Sequence, residues 1–273
     1  SYSVVDMRRN GGKGEIVEKN IVLNDNTTER IASVRNDRDS TYWVVTHDYN
    51  SNVFRIYHAT KGGLEETGVF PLGAIQDTTS KAEGYMKFST ADSTGMRRLA
   101  VVVPGPPRNL VQIYNFNDST GTLSGPTTVD LGPAPPKAYG VEFSQDGTKM
   151  YVSLQKGEGT ADTTLSKLWQ FDISLADSAR IADSKILIDS SATQVYGALQ
   201  IGSDGRIYLA IKDSPFLGVI NVPDEDSQEE VRFVRNGISL GGKFSQLGLP
   251  NFVQNFTEPS TGPGFTYADT CSN

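Results

Sequence analysis

The chain repeats one pattern about every fifty residues, and this self-similarity constrains its fold more than any other feature. A short apolar strand comes first. A tight turn, a second β-rich strand, a polar loop, a third strand ending near Asp or Asn, and a last apolar strand follow. The clearest copy begins with Tyr139-Gly140-Val141-Glu142-Phe143-Ser144 and turns at Gln145-Asp146-Gly147-Thr148. It continues through Met150 to Ser153, Leu168 to Ile173 and Lys185 to Ile188. The next copy runs from Gly197 to Ile201, turns at Asp204-Gly205, and goes on through Ile207 to Ala210, Phe216 to Val222 and Val231 to Val234. Asp-Gly between alternating runs is a hairpin signal, and a two-residue turn of this kind wants φ > 0 at both positions. Two less regular copies begin near Ile31 and Gly84. Aligned on the polar residue of each first strand, the register is Ser33, Lys87, Glu142, Gln200 and Asn251, at intervals of 54, 55, 58 and 51 residues.

Four antiparallel strands at such a period predict an all-β chain, a β-propeller of four-stranded blades. A single twisted sheet leaves two faces open, and a ring of blades covers both while exposing only short edges. Side chains alternate along a strand. Val34, Phe88, Phe143, Ile201 and Phe252 therefore belong between blades, and Ser33, Lys87, Glu142, Gln200 and Asn251 line the central channel. Lys87 and Glu142 fall on consecutive blades and are expected to meet across the boundary in a partly hydrated pair. No helical periodicity competes; Ser174 to Ser184 reads as a long loop. Tyr2 to Met7 and Ile16 to Leu23 read as the third and outer strands of a blade without its inner half, joined by a turn at Gly11-Gly12-Lys13-Gly14. Leu249 to Phe252 reads as a first strand. About five blades are expected. Either the termini share a blade in a closed five-bladed ring, or the chain is a fragment of a seven-bladed propeller. The propeller is expected over residues 1–258. Residues 259–273, opening with Pro259-Ser260-Thr261-Gly262-Pro263-Gly264, read as a linker and the start of a following domain.

Several blocks resemble one family. They are Tyr42 to Asp48 with Ser51-Asn52, Tyr139 to Ser144 with Asp146-Gly147, Gly197 to Ile201 with Asp204 to Tyr208, and Leu247 to Phe252. They are similar to blocks in the N-terminal propeller of large secreted surface proteins of the Bacteroidetes. In that family PKD-type domains follow the propeller, often with a C-terminal domain for gliding motility or type IX secretion. The resemblance covers Tyr2 to Phe256, and Phe265 to Cys271 looks like the lead-in to a PKD domain. It implies export, an extracellular or outer-membrane surface location and a propeller of seven blades, and it supplies no catalytic motif.

Composition removes other functions. Asp plus Glu number 32 against 25 Lys plus Arg, a net charge of −7, which disfavours nucleic acid. The apolar run Leu99 to Val103 stops at Pro104, far short of a membrane span. Two histidines and the single Cys271 are too few for a structural zinc site or an internal disulfide. The reading includes no cofactor and no metal.

Candidate site residues lie on loops between second and third strands, which share one rim. His47, Asp48 and Tyr49 occupy one such loop, Arg108 and Asn109 the next, and Gln155 to Thr164 and Lys212 to Phe216 two more. Tyr49, Arg108 and Phe216 are the contact types among them. His47-Asp48 suits a general base, but adjacent strand residues point to opposite faces, so a hydrogen-bonded turn is the preferred reading. His58, alternating with apolar residues, reads as sheet packing. Asp224-Glu225-Asp226 with Glu229-Glu230 lacks calcium-loop spacing and reads as a solvated outer loop. Asn26, Asn117 and Asn255 begin N-x-S/T triplets at a chance frequency.

The expected function is a non-catalytic surface binding or scaffold module for adhesion or gliding. Its partner would be a protein or polysaccharide at the cell surface, with secretion-system components as further partners. The alternatives are a lactonase-like enzyme acting on a small ester in the channel, and a structural subunit of a surface assembly. The axial set offers one acid and one base, a thin catalytic inventory.

Overall fold

A computed structural model describes residues 1–36, 38–157, 163–175 and 177–253. The expected linker, the PKD lead-in and the Asn255 triplet lie outside the described residues. The chain opens with an antiparallel hairpin of β1 (Tyr2–Asp6) and β2 (Glu15–Ile21). Four four-stranded antiparallel sheets follow. Blade 1 is β3 (Thr27–Arg35), β4 (Tyr42–Asp48), β5 (Val53–Thr60) and β6 (Gly63–Pro71). Blade 2 is β7 (Met86–Phe88), β8 (Met96–Val103), β9 (Arg108–Asn117) and β10 (Thr122–Pro133). Blade 3 is β11 (Lys137–Phe143), β12 (Lys149–Gln155), β13 (Ser166–Asp172) and β14 (Ile186–Ser191). Blade 4 is β15 (Tyr196–Ile201), β16 (Ile207–Ile211), β17 (Phe216–Ile220) and β18 (Phe233–Ser239). In each sheet the strands pair in chain order, and β3, β7, β11 and β15 are innermost neighbours in succession.

The described residues thus form a propeller of four complete blades, not the five or seven expected. The difference lies at Leu249 to Phe252, which form no strand. Pro250 has no N–H to give a ladder. The segment makes single bonds instead. Leu247 O accepts from Ala198 N at 2.8 Å. Leu249 O and N bond the Tyr85 hydroxyl at 3.2 and 3.1 Å. Asn251 Nδ2 reaches Ile31 O. This strap runs from β15 past blade 2 to blade 1.

Two close approaches make that route possible. The β11–β12 and β15–β16 registers each slip near a glycine, at Gly140 and Gly197. A Cβ on Gly140 would stand 2.6 Å from Gly197 O, and one on Gly197 would strike Leu247 O. Ser153 Oγ bridges the neighbouring blades, accepting from Gly140 N and donating to Gly197 O at 2.9 and 2.6 Å. The slipped pairing frees Ala198 N for the strap.

The cores lie between blades. Val34, Trp43 and Phe54 meet Phe88, Leu99 and Phe116 across blades 1 and 2. Val102 and Val129 meet Phe143, Val152 and Phe171 across blades 2 and 3. Tyr151 and Leu168 meet Leu199, Leu209 and Ile220 across blades 3 and 4. Each fully buried Phe or Leu here contributes about 1.5–3 kcal/mol. By contrast, every residue of β2 is exposed, Ile16 and Val17 included.

Two local expectations change. In the Asp-Gly turns only glycine takes positive φ, at Gly147 (73°) and Gly205 (74°). Asp146 and Asp204 instead accept Thr148 N and Arg206 N through their carboxylates, so a longer turn with one left-handed glycine closes each hairpin. The stretch expected as a loop contains a short helix, α2 (Ser178–Asp183). Asp177 caps it by accepting from Ala179 N and Arg180 N, and Ile181 is buried in the core between blades 2 and 3. A second short helix, α1 (Thr79–Ala82), joins blades 1 and 2. No helix among the described residues is long and apolar enough to cross a membrane.

Candidate functional site

The polar residues read from the repeat sit one per innermost strand: Ser33 on β3, Lys87 on β7, Glu142 on β11 and Gln200 on β15. Their setting is drier than expected. Lys87 is 1% exposed and Glu142 0%. Lys87 Nζ donates to Gln200 Oε1 and stands 3.6 Å from Glu142 Oε2. Glu142 also accepts from Phe143 N and Ile201 N, each at 3.0 Å. Burial pushes its carboxyl above the usual range, against the pull of Lys87 and these two N–H groups. The three residues tie blades 2, 3 and 4 at the axis. Ser33 is half-buried, and Asn251 is exposed on the strap rather than on an inner strand.

A small cavity of about 190 Å³ lies beside this network, lined by Glu29, Arg30, Tyr85, Tyr139 and Asn251 among others. Its polar groups are largely committed. Glu29 Oε1 accepts Gly84 N, and Arg30 donates to Gln76 Oε1 and to the carbonyls of Lys81 and Glu83. Burial lowers the Arg30 guanidinium to about 10 and raises the Tyr139 hydroxyl to about 12.

The rim residues divide. His47 ends β4 rather than sitting on a loop and is 0% exposed. Its Nδ1 is 2.8 Å from Asp48 O, and its ring packs edge-on against Phe54. Burial, then the charge of Arg30, holds its imidazole down at about 4, so it is neutral. Asp48 bonds Arg55 Nε at 3.0 Å and Asn24 Nδ2 at 2.6 Å. Tyr49 donates its N–H to Asn26 O. Asn109 is buried, donating to the carbonyls of Pro133 and Pro136 and accepting from Ala138 N, which ties β9 to the start of blade 3. Arg108 is exposed and paired with Asp130. His58 stacks on Trp43 at 4.3 Å. In the acidic loop, Asp226 pairs with Lys149.

Phe216 has a different environment. It lines a cleft of about 620 Å³ between blades 3 and 4, within the usual size of a ligand pocket. Lys156 and Gly157 follow β12, and Lys212 to Phe216 join β16 to β17, both on the expected rim. The remaining lining was not foreseen: Thr193, Gln194 and Val195 between β14 and β15, and Asn236 on β18. In an up-and-down blade the connection to the next blade emerges at the same end as the second-to-third-strand loop. Strand alternation therefore held the missing signal. Among the described residues, no group of three or more His, Cys, Asp or Glu side chains is placed to hold a metal ion.

No family model matches the sequence. No curated protein matches it either. Several solved structures are similar at low identity. The WD40 repeats of RRP9 share 11% identity at a TM-score of 0.42, over 75% of this chain and 51% of that one. A puromycin hydrolase shares 13% at 0.45, over 78% and 33%. A protein from Bacteroides fragilis, provisionally assigned as a 6-phosphogluconolactonase, shares 13% at 0.46, over 80% and 59%. The chain spans about half the length of the first and a third of the second.

Proposed function

We propose that this chain is a non-catalytic binding module, the propeller of a large exported surface protein, and that it takes a polysaccharide in the cleft between blades 3 and 4. The cleft itself carries the reading. It combines the half-buried ring of Phe216 with the hydroxyls of Thr193 and Ser214 and the amides of Gln194 and Asn236. An apolar face ringed by convergent hydrogen-bonding groups suits a sugar, which has a C–H face and hydroxyl edges. The resemblance of the Tyr42 to Asn52, Tyr139 to Gly147 and Gly197 to Tyr208 blocks to Bacteroidetes surface proteins supports an extracellular or outer-membrane setting. It also supports a role in adhesion or gliding, with secretion-system components as further partners. At the axis, where a lactonase-like enzyme would need reachable acids and bases, Glu142 and Lys87 are buried against each other. That favours binding over hydrolysis.

Affinity electrophoresis of the full chain through gels carrying single polysaccharides tests this. Retardation by at least one polysaccharide, lost in Phe216→Ala with the fold intact, is the expected outcome. Equal retardation of wild type and variant would move the site elsewhere, and no retardation across the panel would end the polysaccharide reading.

A further inference from the structure

Three chemical demands converge in the cleft between blades 3 and 4. The first is charge. Its ionisable side chains are Lys156, Lys212 and Asp213, two cations and one anion, in a chain of net charge −7. Asp213 already accepts from Gln246 Nε2 at 3.4 Å. A local excess of ammonium groups on an acidic protein suits a negative group on the ligand. The second is a hydrogen-bond donor. Gln194 Oε1 is buried with no hydrogen-bond partner, and a buried acceptor left without a donor is unfavourable until something supplies one. The third is a flat apolar surface. Phe216 is half-buried at the start of β17, with its N–H fixed on Ser214 Oγ at 3.1 Å.

A hexuronate answers all three within one ring: a carboxylate for the lysines, hydroxyl donors for Gln194, and a C–H face for Phe216. A neutral hexose lacks the first. An acidic peptide carries carboxylates but has no rigid ring that presents hydroxyls and an apolar face together. We infer that the ligand is a polyuronate, an acidic polysaccharide whose repeating sugars bear carboxylates; this rests on the polysaccharide reading above.

Isothermal titration of the full chain separates the possibilities. The probes are an oligogalacturonate, an alginate oligomer, the methyl ester of the oligogalacturonate, and a polyglutamate peptide. At least one free acid is expected to bind roughly tenfold or more tightly than the ester, the scale of one charge-assisted contact. Lys156→Gln and Lys212→Gln should each shrink that ratio without altering affinity for the ester. Lys156→Arg and Lys212→Arg, which keep the charge, should preserve it. Unchanged circular dichroism and melting temperature in all four variants ties the effect to the ligand. Equal affinity for acid and ester overturns the polyuronate inference and leaves the polysaccharide reading standing. Tighter binding of polyglutamate overturns the inference in favour of an acidic peptide. Binding of none of the sugars ends the inference, and the gel panel above then decides the broader reading by itself.

Discussion

Lys87→Met tests the axial network directly. The substitution keeps the length of the side chain and removes its charge in a site that is 1% exposed. At 3.6 Å from Glu142 Oε2, and with an effective dielectric constant of about 20, the attraction lost is about 4–5 kcal/mol. Glu142 keeps its two backbone N–H donors but loses its cation, and Gln200 Oε1 loses a donor. Breaking one side of a buried pair costs about 3–5 kcal/mol, so urea unfolding at pH 7 should show a loss in that range. The double variant Lys87→Met/Glu142→Gln should recover about 2 kcal/mol of it, because no buried charge then remains. The deficit of the single variant should also depend on pH. Burial raises the Glu142 carboxyl above its unfolded value of 4.5. The folded state therefore holds that proton more firmly, and stability falls as pH rises through the folded pKa. Without Lys87 this effect grows, so the deficit should be smaller at pH 5 than at pH 8. A loss below about 1 kcal/mol, or a deficit that ignores both pH and the second substitution, would refute the claim that the pair ties the blades.

The imidazole of His47 is lowered from 6.5 to about 4, so it contributes stability that is complete above pH 6.5 and is lost as pH falls toward 4. Unfolding free energies across that window should drop by about 3 kcal/mol at most in the wild type, and His47→Gln should flatten the slope. Gly197→Ala should push the strap off β15, because the new Cβ strikes Leu247 O. Hydrogen exchange at the Ala198 amide should accelerate and stability fall by about 1–3 kcal/mol; an unchanged exchange rate would mean that the strap bond is not formed in solution.

The blades were legible in the sequence because their signals are local and periodic. Asp146-Gly147 and Asp204-Gly205 mark hairpins, and alternation fixes which residues of Gly197 to Ile201 face inward. Four strands per copy then follow from the spacing. The blade count was not legible. Asn251 falls at the right interval and in a similar local pattern, but whether a strand forms depends on partners far away in the chain. Leu247 to Asn251 find theirs one at a time, on Ala198, Tyr85 and Ile31. The same limit explains the rim. His47 and Asn109 look like loop polar residues in sequence, yet each is buried by packing that only the assembled blades provide. Phe216 could be placed on the rim from its position in the copy. Thr193, Gln194 and Asn236 required the step of following the chain into the neighbouring blade.

The cleft lysines and the acidic surface act on a polyuronate over different distances, and binding kinetics separate them. At long range the chain carries a net charge of −7 and repels a polyanion. That repulsion is felt beyond a Debye length of about 8 Å at physiological salt and weakens as salt is added. At contact, Lys156 and Lys212 attract a carboxylate in a partly enclosed cleft, where salt screens less. Raising salt from about 0.02 to 0.2 M shortens the Debye length about threefold, so the association rate should rise while the dissociation rate increases only modestly. A basic surface that recruits polyanions by steering would do the opposite, losing association rate steeply. Lys156→Gln should act mainly on dissociation, because a single contact charge contributes little to the far field of a chain with 57 charged side chains. Association slowed by salt in the wild type would mean that the ligand is drawn in by a positive surface elsewhere, and the cleft could not then be the point of first contact.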